Sequence, residues 1–204
     1  MIAGSANLDF VVRASHVPAP GETVLGRELS TFPGGKGANQ AIACARAGGA
    51  ATRMLLALGD DAYAAPIEAS LRDAGVELQL IRCPDHATGT AFICVSDDGE
   101  NAITVAPGAN AALRADDLSA LDGVGHLLLQ LETPLPAIEA WARRARAAGV
   151  VVVLNAAPAR APPPHAPRPL RRRVGQSAGG GRRHNSKVLM NKPPRSRESA
   201  LAIH

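Results

Sequence analysis

Residues 1–157 alternate short apolar runs with longer amphipathic runs, which is typical of a sheet covered by helices. The apolar runs predict buried strands at 1–6, 54–58, 126–131 and 150–154. The other runs predict helices at 37–47, 64–74, 116–121 and 135–148. Because strands and helices alternate, the sequence predicts an α/β fold with a parallel sheet flanked by helices.

Two further apolar segments, 90–95 and 102–105, lie between these elements. They flank the polar stretch Ser96-Asp-Asp-Gly-Glu-Asn101, whose Asp98-Gly99 pair is a strong hairpin signal. We therefore predict a small β flap beside the parallel sheet.

The pattern ends near residue 158, where a tail begins that is rich in Pro, Arg and Gly. Residues 158–204 have no apolar period and a composition that cannot bury a core, which predicts disorder and, over 162–204, no stable packing. The tail holds 9 Arg and 2 Lys against 1 Glu, a net charge of +10, whereas the rest holds 11 basic and 17 acidic residues, a net charge of −6. The overall charge of +4 therefore predicts no basic groove for nucleic acid in the folded part.

The cysteines, the histidines and the hydropathy of the chain predict its cellular location and whether it binds a metal or a membrane. Cys44, Cys83 and Cys94 are far apart with no Cys-x-x-Cys pair, which favours reduced thiols in the cytoplasm. The six histidines show no metal-ligand spacing. There is no leader pattern, and the longest apolar run, 150–154, is far too short for a membrane span. We expect a soluble cytoplasmic protein without a metal site or a membrane partner.

Candidate chemistry is concentrated at the start of the helix predicted over 37–47. Gly34 and Gly35 allow close backbone approach, Lys36 supplies a donor, and Asn39 offers an amide one turn later. Because a helix start has free N–H groups and a favourable dipole, the pattern predicts a polar pocket for an electron-rich ligand.

Two common phosphate-binding motifs do not fit this stretch. A Walker A loop fails because Ser30 and Gly37 stand where Gly and Ser or Thr are required. A dinucleotide-binding Gly-x-Gly-x-x-Gly loop fails because Gln40 replaces the third glycine.

The run Gly34-Gly-Lys-Gly-Ala-Asn-Gln-Ala41 resembles the sugar site of the ribokinase group of PfkB carbohydrate kinases. Six more islands follow that family's order: Gly4-Ser-Ala-Asn-Leu-Asp9, Pro20-Gly-Glu-Thr23, Gly59-Asp-Asp61, Thr88-Gly-Thr90, Gly108-Ala-Asn-Ala-Ala112 and Gln130-Leu-Glu132. The resemblance implies a ribokinase-like kinase that uses ATP and Mg²⁺ to phosphorylate ribose or a similar sugar. It also implies that segments 10–31 and 90–105 form a flap that covers the sugar and often makes the homodimer contact.

The resemblance implies a sugar site built from seven residues: Asn7, Asp9, Gly35, Lys36, Gly37, Asn39 and Glu132. The two carboxylates can accept from neighbouring hydroxyls, and the two amides can both donate and accept. The lysine can donate to a ring or hydroxyl oxygen, and the glycines let the backbone come close. For Asp60 and Asp61, a loop or helix-cap role before the helix at 64–74 and a functional role both remain open.

The resemblance reaches Val151–Arg160, with Ala156 in place of a proline, and then ends abruptly. In the family, the catalytic base is the Asp of a Gly-Ala-Gly-Asp motif in an ATP-binding half, and an Asn-x-x-Glu motif acts near the metal. Neither motif occurs here, and Gly179-Gly-Gly-Arg-Arg183 contains no Asp. We assign no catalytic, ATP-binding or Mg²⁺-binding residue, expect an inactive truncated chain, and suspect a frameshifted or truncated coding sequence.

Two classes of function remain open. The first is a ribokinase-like kinase by resemblance that keeps a sugar site without an intact ATP site. The second is a non-enzymatic sugar-binding or dimerising fragment whose basic tail contacts a polyanion. Such a contact would be unspecific and salt-sensitive, because the arginines have no interleaved aromatic residues.

Overall fold

The computed structural model describes residues 1–158 and 188–191, arranged around two sheets. The main sheet has the order β10-β9-β8-β1-β4-β5. Its strands are β1 (Ile2–Ala3), β4 (Arg53–Leu58), β5 (Glu77–Arg82), β8 (His126–Gln130), β9 (Val151–Asn155) and β10 (Val188–Asn191). The first five are parallel and β10 is antiparallel to β9, so the predicted α/β fold with a parallel sheet is confirmed.

Helices cover both faces of the main sheet. They are α1 (Lys36–Gly48), α2 (Ala64–Asp73) and α3 (Leu135–Ala147). Along β4, Leu55 and Ala57 belong to the core under α3, whereas Met54, Leu56 and Leu58 belong to the core under α1 and α2. Successive strand residues point to opposite faces, and this sheet therefore needs the near-continuous apolar runs that the sequence shows.

The flap sheet has four strands in the order β3-β2-β6-β7. They are β2 (Asn7–Arg13), β3 (Glu28–Gly34), β6 (Gly89–Val95) and β7 (Asn101–Ala106). The β6–β7 hairpin turns at Gly99, whose φ of 84° is readily adopted by glycine. The predicted flap is therefore present, built from the two expected parts of the chain.

Two predicted elements differ from the structure, and one observed strand was not predicted. The strand predicted over 1–6 is short, because the chain leaves the main sheet after Ala3 and enters the flap sheet at Asn7. The helix predicted over 116–121 is only a 3-10 turn at Ala115–Asp117, after which Leu118 is extended and buried. Strand β5 was not predicted, because its half-exposed positions mix polar and apolar residues at the sheet edge.

The third helix explains the short turn. The Trp141 indole Nε1 donates to the carbonyl oxygens of Arg114 and Ala115, each at 3.1 Å. The guanidinium of Arg144 donates to the Leu118 carbonyl at 2.7 Å. Because α3 satisfies these carbonyls, the chain needs no helix of its own there.

The tail contributes one described element, the strand β10. Its residues pair antiparallel with β9, from Val188 opposite Asn155 to Asn191 opposite Val152. The prediction of no stable packing over 162–204 differs from the structure at these four residues, because Val-Leu-Met favours a strand and β9 otherwise presents an unpaired edge. The remainder of that prediction lies outside the described residues.

Within residues 1–158 and 188–191, no helix combines the length and apolar character needed to cross a bilayer.

Candidate functional site

The centre of the candidate site is the carboxylate of Glu132, just after β8. Glu132 Oε2 accepts from Ser5 Oγ at 2.5 Å and from the Lys36 backbone N–H at 3.1 Å. Lys36 Nζ lies 3.4 Å from Glu132 Oε1. The Glu132 side chain is only 13% exposed, so these contacts fix its position.

The start of α1 rests directly on the segment between β1 and β2. Gly35 has φ 91°, and a Cβ there would lie 2.9 Å from Ala6 Cα. A Cβ on Gly37 would lie 2.7 Å from the Ser5 backbone. The two glycines therefore permit a backbone contact that larger residues would prevent.

The N–H groups at the start of α1 are not free for a ligand, contrary to the expectation from the sequence. Lys36 N donates to Glu132, Gly37 N donates to Ser5 Oγ at 3.4 Å, and Ala38 N donates to the Ser5 carbonyl at 3.0 Å. These bonds satisfy donors that a helix start leaves unpaired. Here the helix start positions Glu132 and Ser5, and polar side chains remain available for a ligand.

Asp9, on β2, faces this centre. One carboxyl oxygen, Oδ1, is buried and has no hydrogen-bond partner among the described residues. The other lies so close to Gly34 that a Cβ there would overlap it. Burial, then the negative charge of Glu132, raise the Asp9 pKa to about 6, and Lys36 partly opposes this shift. An unpartnered acceptor beside a second carboxylate is suited to bind hydroxyl groups.

The two amides of the predicted set differ in their surroundings. Asn7 is 3% exposed, and its Oδ1 accepts from Asn110 Nδ2 at 2.8 Å. Asn39 lies on the first turn of α1 with an exposed side chain that makes no hydrogen bond to other described residues. The structure thus brings Asn7, Asp9, Gly35, Lys36, Gly37 and Glu132 together, with Asn39 one turn along α1.

Two polar residues of the site, Ser5 and Asn110, were not singled out from the sequence. Ser5 holds Glu132, and Asn110 is a buried residue that binds both Ala6 and Asn7. Each lies inside a motif that was quoted for other reasons. The sequence did offer one indication of Asn110, because it is the polar residue in the alanine-rich stretch Gly108–Ala112. A polar side chain that is buried among alanines needs hydrogen-bond partners.

A second polar cluster joins the body to the flap sheet. Asp61 accepts from the backbone N–H groups of Thr88 at 2.7 Å and Tyr63 at 3.0 Å. Partial burial opposes ionisation, but these hydrogen bonds together lower the Asp61 pKa. The Gly59 N–H donates to Thr88 Oγ1 at 3.0 Å. The Gly-Asp-Asp and Thr-Gly-Thr motifs thus fix the point where β6 begins, as the predicted loop role of Asp61 suggests.

The described residues contain no group of three or more His, Cys, Asp or Glu side chains placed to hold a metal ion. The resemblance leads us to expect ATP and Mg²⁺, and we assign no described residue to either.

A profile of the pfkB family of carbohydrate kinases matches residues 1–171. The ribokinase of Bacillus subtilis (strain 168) is 37% identical over 164 residues, which cover 78% of this chain and 55% of that protein.

Two solved structures are similar as well. Ribokinase from Thermotoga maritima has a TM-score of 0.69 at 36% identity, covering 78% of this chain and 52% of that chain. Arabidopsis thaliana ribokinase complexed with ribose and ATP has a TM-score of 0.68 at 35% identity, covering 76% of this chain and 52% of that chain. The chain therefore spans about half the length of the relatives it matches.

Proposed function

The chain belongs to the pfkB family of carbohydrate kinases, and we propose that it carries the sugar-binding part of a ribokinase-like enzyme. The proposed reaction is transfer of the ATP γ-phosphoryl group to a hydroxyl of ribose or a similar sugar. The curated relatives are ribokinases, and one of the solved relatives is in complex with ribose and ATP. A cytoplasmic location is proposed with it, in keeping with three free cysteines.

The observation that carries this proposal is the Asp9 carboxylate beside Glu132. Asp9 Oδ1 is buried without a partner among the described residues, which is costly unless a ligand donates to it. Glu132 is held by Ser5 and Lys36 and cannot turn away. Two fixed acceptors suit a sugar, because each sugar hydroxyl can donate one hydrogen bond.

The other predicted residues complete the proposed sugar site. Asn7 and Asn39 offer amides and Lys36 offers its ammonium group, whereas Gly35 and Gly37 let the start of α1 lie against the backbone of Ser5 and Ala6 beside the site. The proposal is supported by the parallel pair β1 and β8, because Ser5 and Glu132 follow the carboxyl ends of these strands, where open α/β sheets bind ligands.

The flap sheet supplies a second part of the proposal. Asp9 pairs in register with Phe32 and Ala91, and Ala91 pairs with Val105, so these side chains share one face. Phe32, Val105 and the neighbouring Ile103 are exposed on that face. We propose that this apolar surface covers the sugar and pairs with a second copy of the chain as a homodimer.

The 204-residue polypeptide alone is proposed to bind sugar without phosphorylating it. Phosphoryl transfer needs a base and positive groups around the phosphoryl. The proposal is supported by the sequence, in which the Gly-Ala-Gly-Asp and Asn-x-x-Glu motifs do not occur. ATP would supply the phosphoryl group and Mg²⁺ would balance its charge. What this chain contributes is orientation of the sugar through Asp9 and Glu132.

A non-enzymatic role is the second candidate, and the exposed Phe32, Ile103 and Val105 favour it. A sugar-binding or dimerising fragment would use the same site and the same flap face. It would differ only in that no phosphorylation would take place, either by the chain alone or by an oligomer of it. The proposed contact of the basic tail with a polyanion would weaken at high salt.

A thermal-shift screen of pentoses and hexoses, with and without ATP and Mg²⁺, tests the proposal. We expect ribose or a related sugar to raise the melting temperature and ATP to add nothing. No shift with any sugar would contradict the sugar site. A phosphate ester formed at a rate that Asp9→Ala abolishes would contradict the proposed lack of turnover.

A further inference from the structure

We propose that Asn110 is a positioning residue that holds the Asn7 amide with its oxygen inward, so that only the NH₂ group of Asn7 can bind the sugar. This inference rests on the proposed function and deepens it. It assigns a donor role toward the sugar to the Asn7 side chain, which from the sequence alone could either donate or accept.

The first step is the orientation of the Asn110 amide. Asn110 is 1% exposed, and its Oδ1 accepts from the Ala6 N–H at 2.9 Å. Its Nδ2 lies 3.0 Å from the carbonyl oxygens of both Ala6 and Pro107 and 2.8 Å from Asn7 Oδ1, so its two hydrogens are shared among three acceptors. Backbone donors and acceptors cannot exchange roles, so a flipped amide would set an NH₂ against an N–H and an oxygen against two oxygens. The Asn110 orientation is therefore fixed by the backbone.

The second step is the orientation of Asn7. The same Asn110 Nδ2 lies 2.8 Å from the Asn7 side chain, and only an oxygen can accept there. Asn7 must therefore turn its Oδ1 toward Asn110. Its Nδ2 makes no hydrogen bond to the described residues and does not belong to their buried atoms without a partner. This donor is therefore the part of Asn7 that can bind a sugar oxygen.

The third step places this donor next to an acceptor. Asn7 and Asp9 are two residues apart on β2 and so point to the same face. Asp9 Oδ1 is a buried acceptor that has no hydrogen-bond partner in the described part of the chain. The pair fits a ligand with neighbouring oxygens, one that accepts from Asn7 and one that donates to Asp9.

Gly89 provides independent support for the bridge. It pairs with Asn7 in register across β2 and β6. A Cβ at position 89 would overlap both Asn110 Nδ2 and Asn7 Oδ1. Glycine at this position keeps open the space in which the two side chains meet.

The first test needs no sugar. In the native chain labelled with ¹⁵N, the Asn110 NH₂ signals should exchange slowly with solvent, and the Asn7 NH₂ signals should exchange fast. In Asn110→Ala, the Asn7 signals should shift and broaden because its amide can then rotate. Slow exchange at Asn7 with fast exchange at Asn110, or unchanged Asn7 signals in the variant, would overturn the inference.

The second test measures sugar affinity by calorimetry. We expect Asn110→Ala to weaken binding about tenfold and Gly89→Ala to have a similar effect, with the double variant no worse than either alone. Asn101→Ala, an exposed Asn on β7 outside the site, is the matched control and should bind like the native chain. Native-like affinity in Asn110→Ala would contradict the inference.

The two tests separate the inference from the proposed function. If the native chain bound no sugar, the proposed function would fail. The solvent-exchange rates of the Asn7 and Asn110 NH₂ groups would still show how the Asn7 amide is oriented. If Asn110→Ala did not fold, the spectra of the native chain would remain decisive.

Discussion

The main sheet and the flap sheet differ in what covers their faces. In the main sheet, Leu55 and Leu56 are both fully buried, one under α3 and the other under α1 and α2. In the flap sheet, Phe32 and Phe92 lie on opposite faces and both are about half exposed. The central strand β4 of the main sheet is thus covered on both faces, whereas the flap sheet has apolar area still available for a ligand or a partner.

The candidate site lies where these two regions meet. Glu132 follows a strand of the main sheet, whereas Asp9 belongs to the flap sheet. One acceptor is thus positioned by the main sheet and the other by the flap sheet. The predictions below separate the contribution of each region, beginning with the largest expected effect.

The main sheet should lose most stability when the core under α3 is opened. Trp141 is fully buried, so Trp141→Ala should lower the free energy of unfolding by about 3–5 kcal/mol. Trp141→Phe, which keeps an aromatic ring but loses the two indole hydrogen bonds, should lower it less. Urea unfolding followed by circular dichroism measures both. A loss below about 1 kcal/mol for Trp141→Ala would show that this core is not cooperative with the rest.

A single methyl group added at Gly35, where the start of α1 meets the segment between the two sheets, should lower both stability and sugar affinity. Gly35→Ala adds a Cβ at a φ of 91° and against Ala6, which should cost about 1–3 kcal/mol of stability. It should also weaken sugar binding, because α1 would move away from the segment that carries Asn7. Gly48→Ala, at the far end of α1 with open space around it, is the control and should leave both unchanged. Unaltered binding in Gly35→Ala would refute the role of the close approach.

A substitution on the exposed face of the flap sheet should change self-association more than it changes the stability of the monomer. Ile103→Ser removes an exposed apolar side chain from the Asp9 face and should weaken self-association, while changing the monomer stability by about 0.5 kcal/mol or less. Thr104→Ser, on the opposite face, should leave association unchanged. Analytical ultracentrifugation over a concentration series measures the effect. Equal association of the native and Ile103→Ser chains would exclude this face as the dimer contact.

The pH dependence of stability should report on Asp9. Its folded pKa is about 6, above the ordinary 3.8, so the folded chain holds this proton more tightly than the unfolded chain. The stabilising effect of the protonated group is complete below about pH 4 and is lost as the pH rises to about 6. Asp9→Asn should therefore flatten the stability curve in this window, by a modest amount because Asp9 is only half-buried. An unchanged curve would contradict the shifted pKa.

The sequence predicted the parts of the fold that rely on burial. The apolar runs at β4 and β8 are strands because both of their faces are covered, and a continuous apolar run is the direct consequence. Strand β5 was missed because only its inner positions are half-buried, which leaves no such run. The helix predicted over 116–121 failed because Trp141 and Arg144, distant in sequence, bind the carbonyls that a helix would have used.

The candidate site was predictable in its residue types but not in its hydrogen bonds. The motif order pointed to Asp9, Lys36 and Glu132, which lie together in the structure. It could not show that the N–H groups at the start of α1 bind Ser5 and Glu132, because this depends on the segment before β2 passing beneath the helix. Such hydrogen bonds join residues that are about 30 or more positions apart in the sequence, so a local sequence pattern does not predict them.

The central claim is that this chain by itself holds a sugar between Asp9 and Glu132. Calorimetric titration of ribose into the native chain, Asp9→Asn and Asp122→Asn at pH 8 tests it most directly. Asp122 is exposed and distant from the site, so Asp122→Asn is the matched control. We predict saturable binding to the native chain and to the control, and affinity at least about tenfold weaker in Asp9→Asn, because an amide NH₂ cannot accept the hydroxyl proton. Equal binding to all three proteins, or binding to none of them with ribose and the other pentoses and hexoses, would contradict the account.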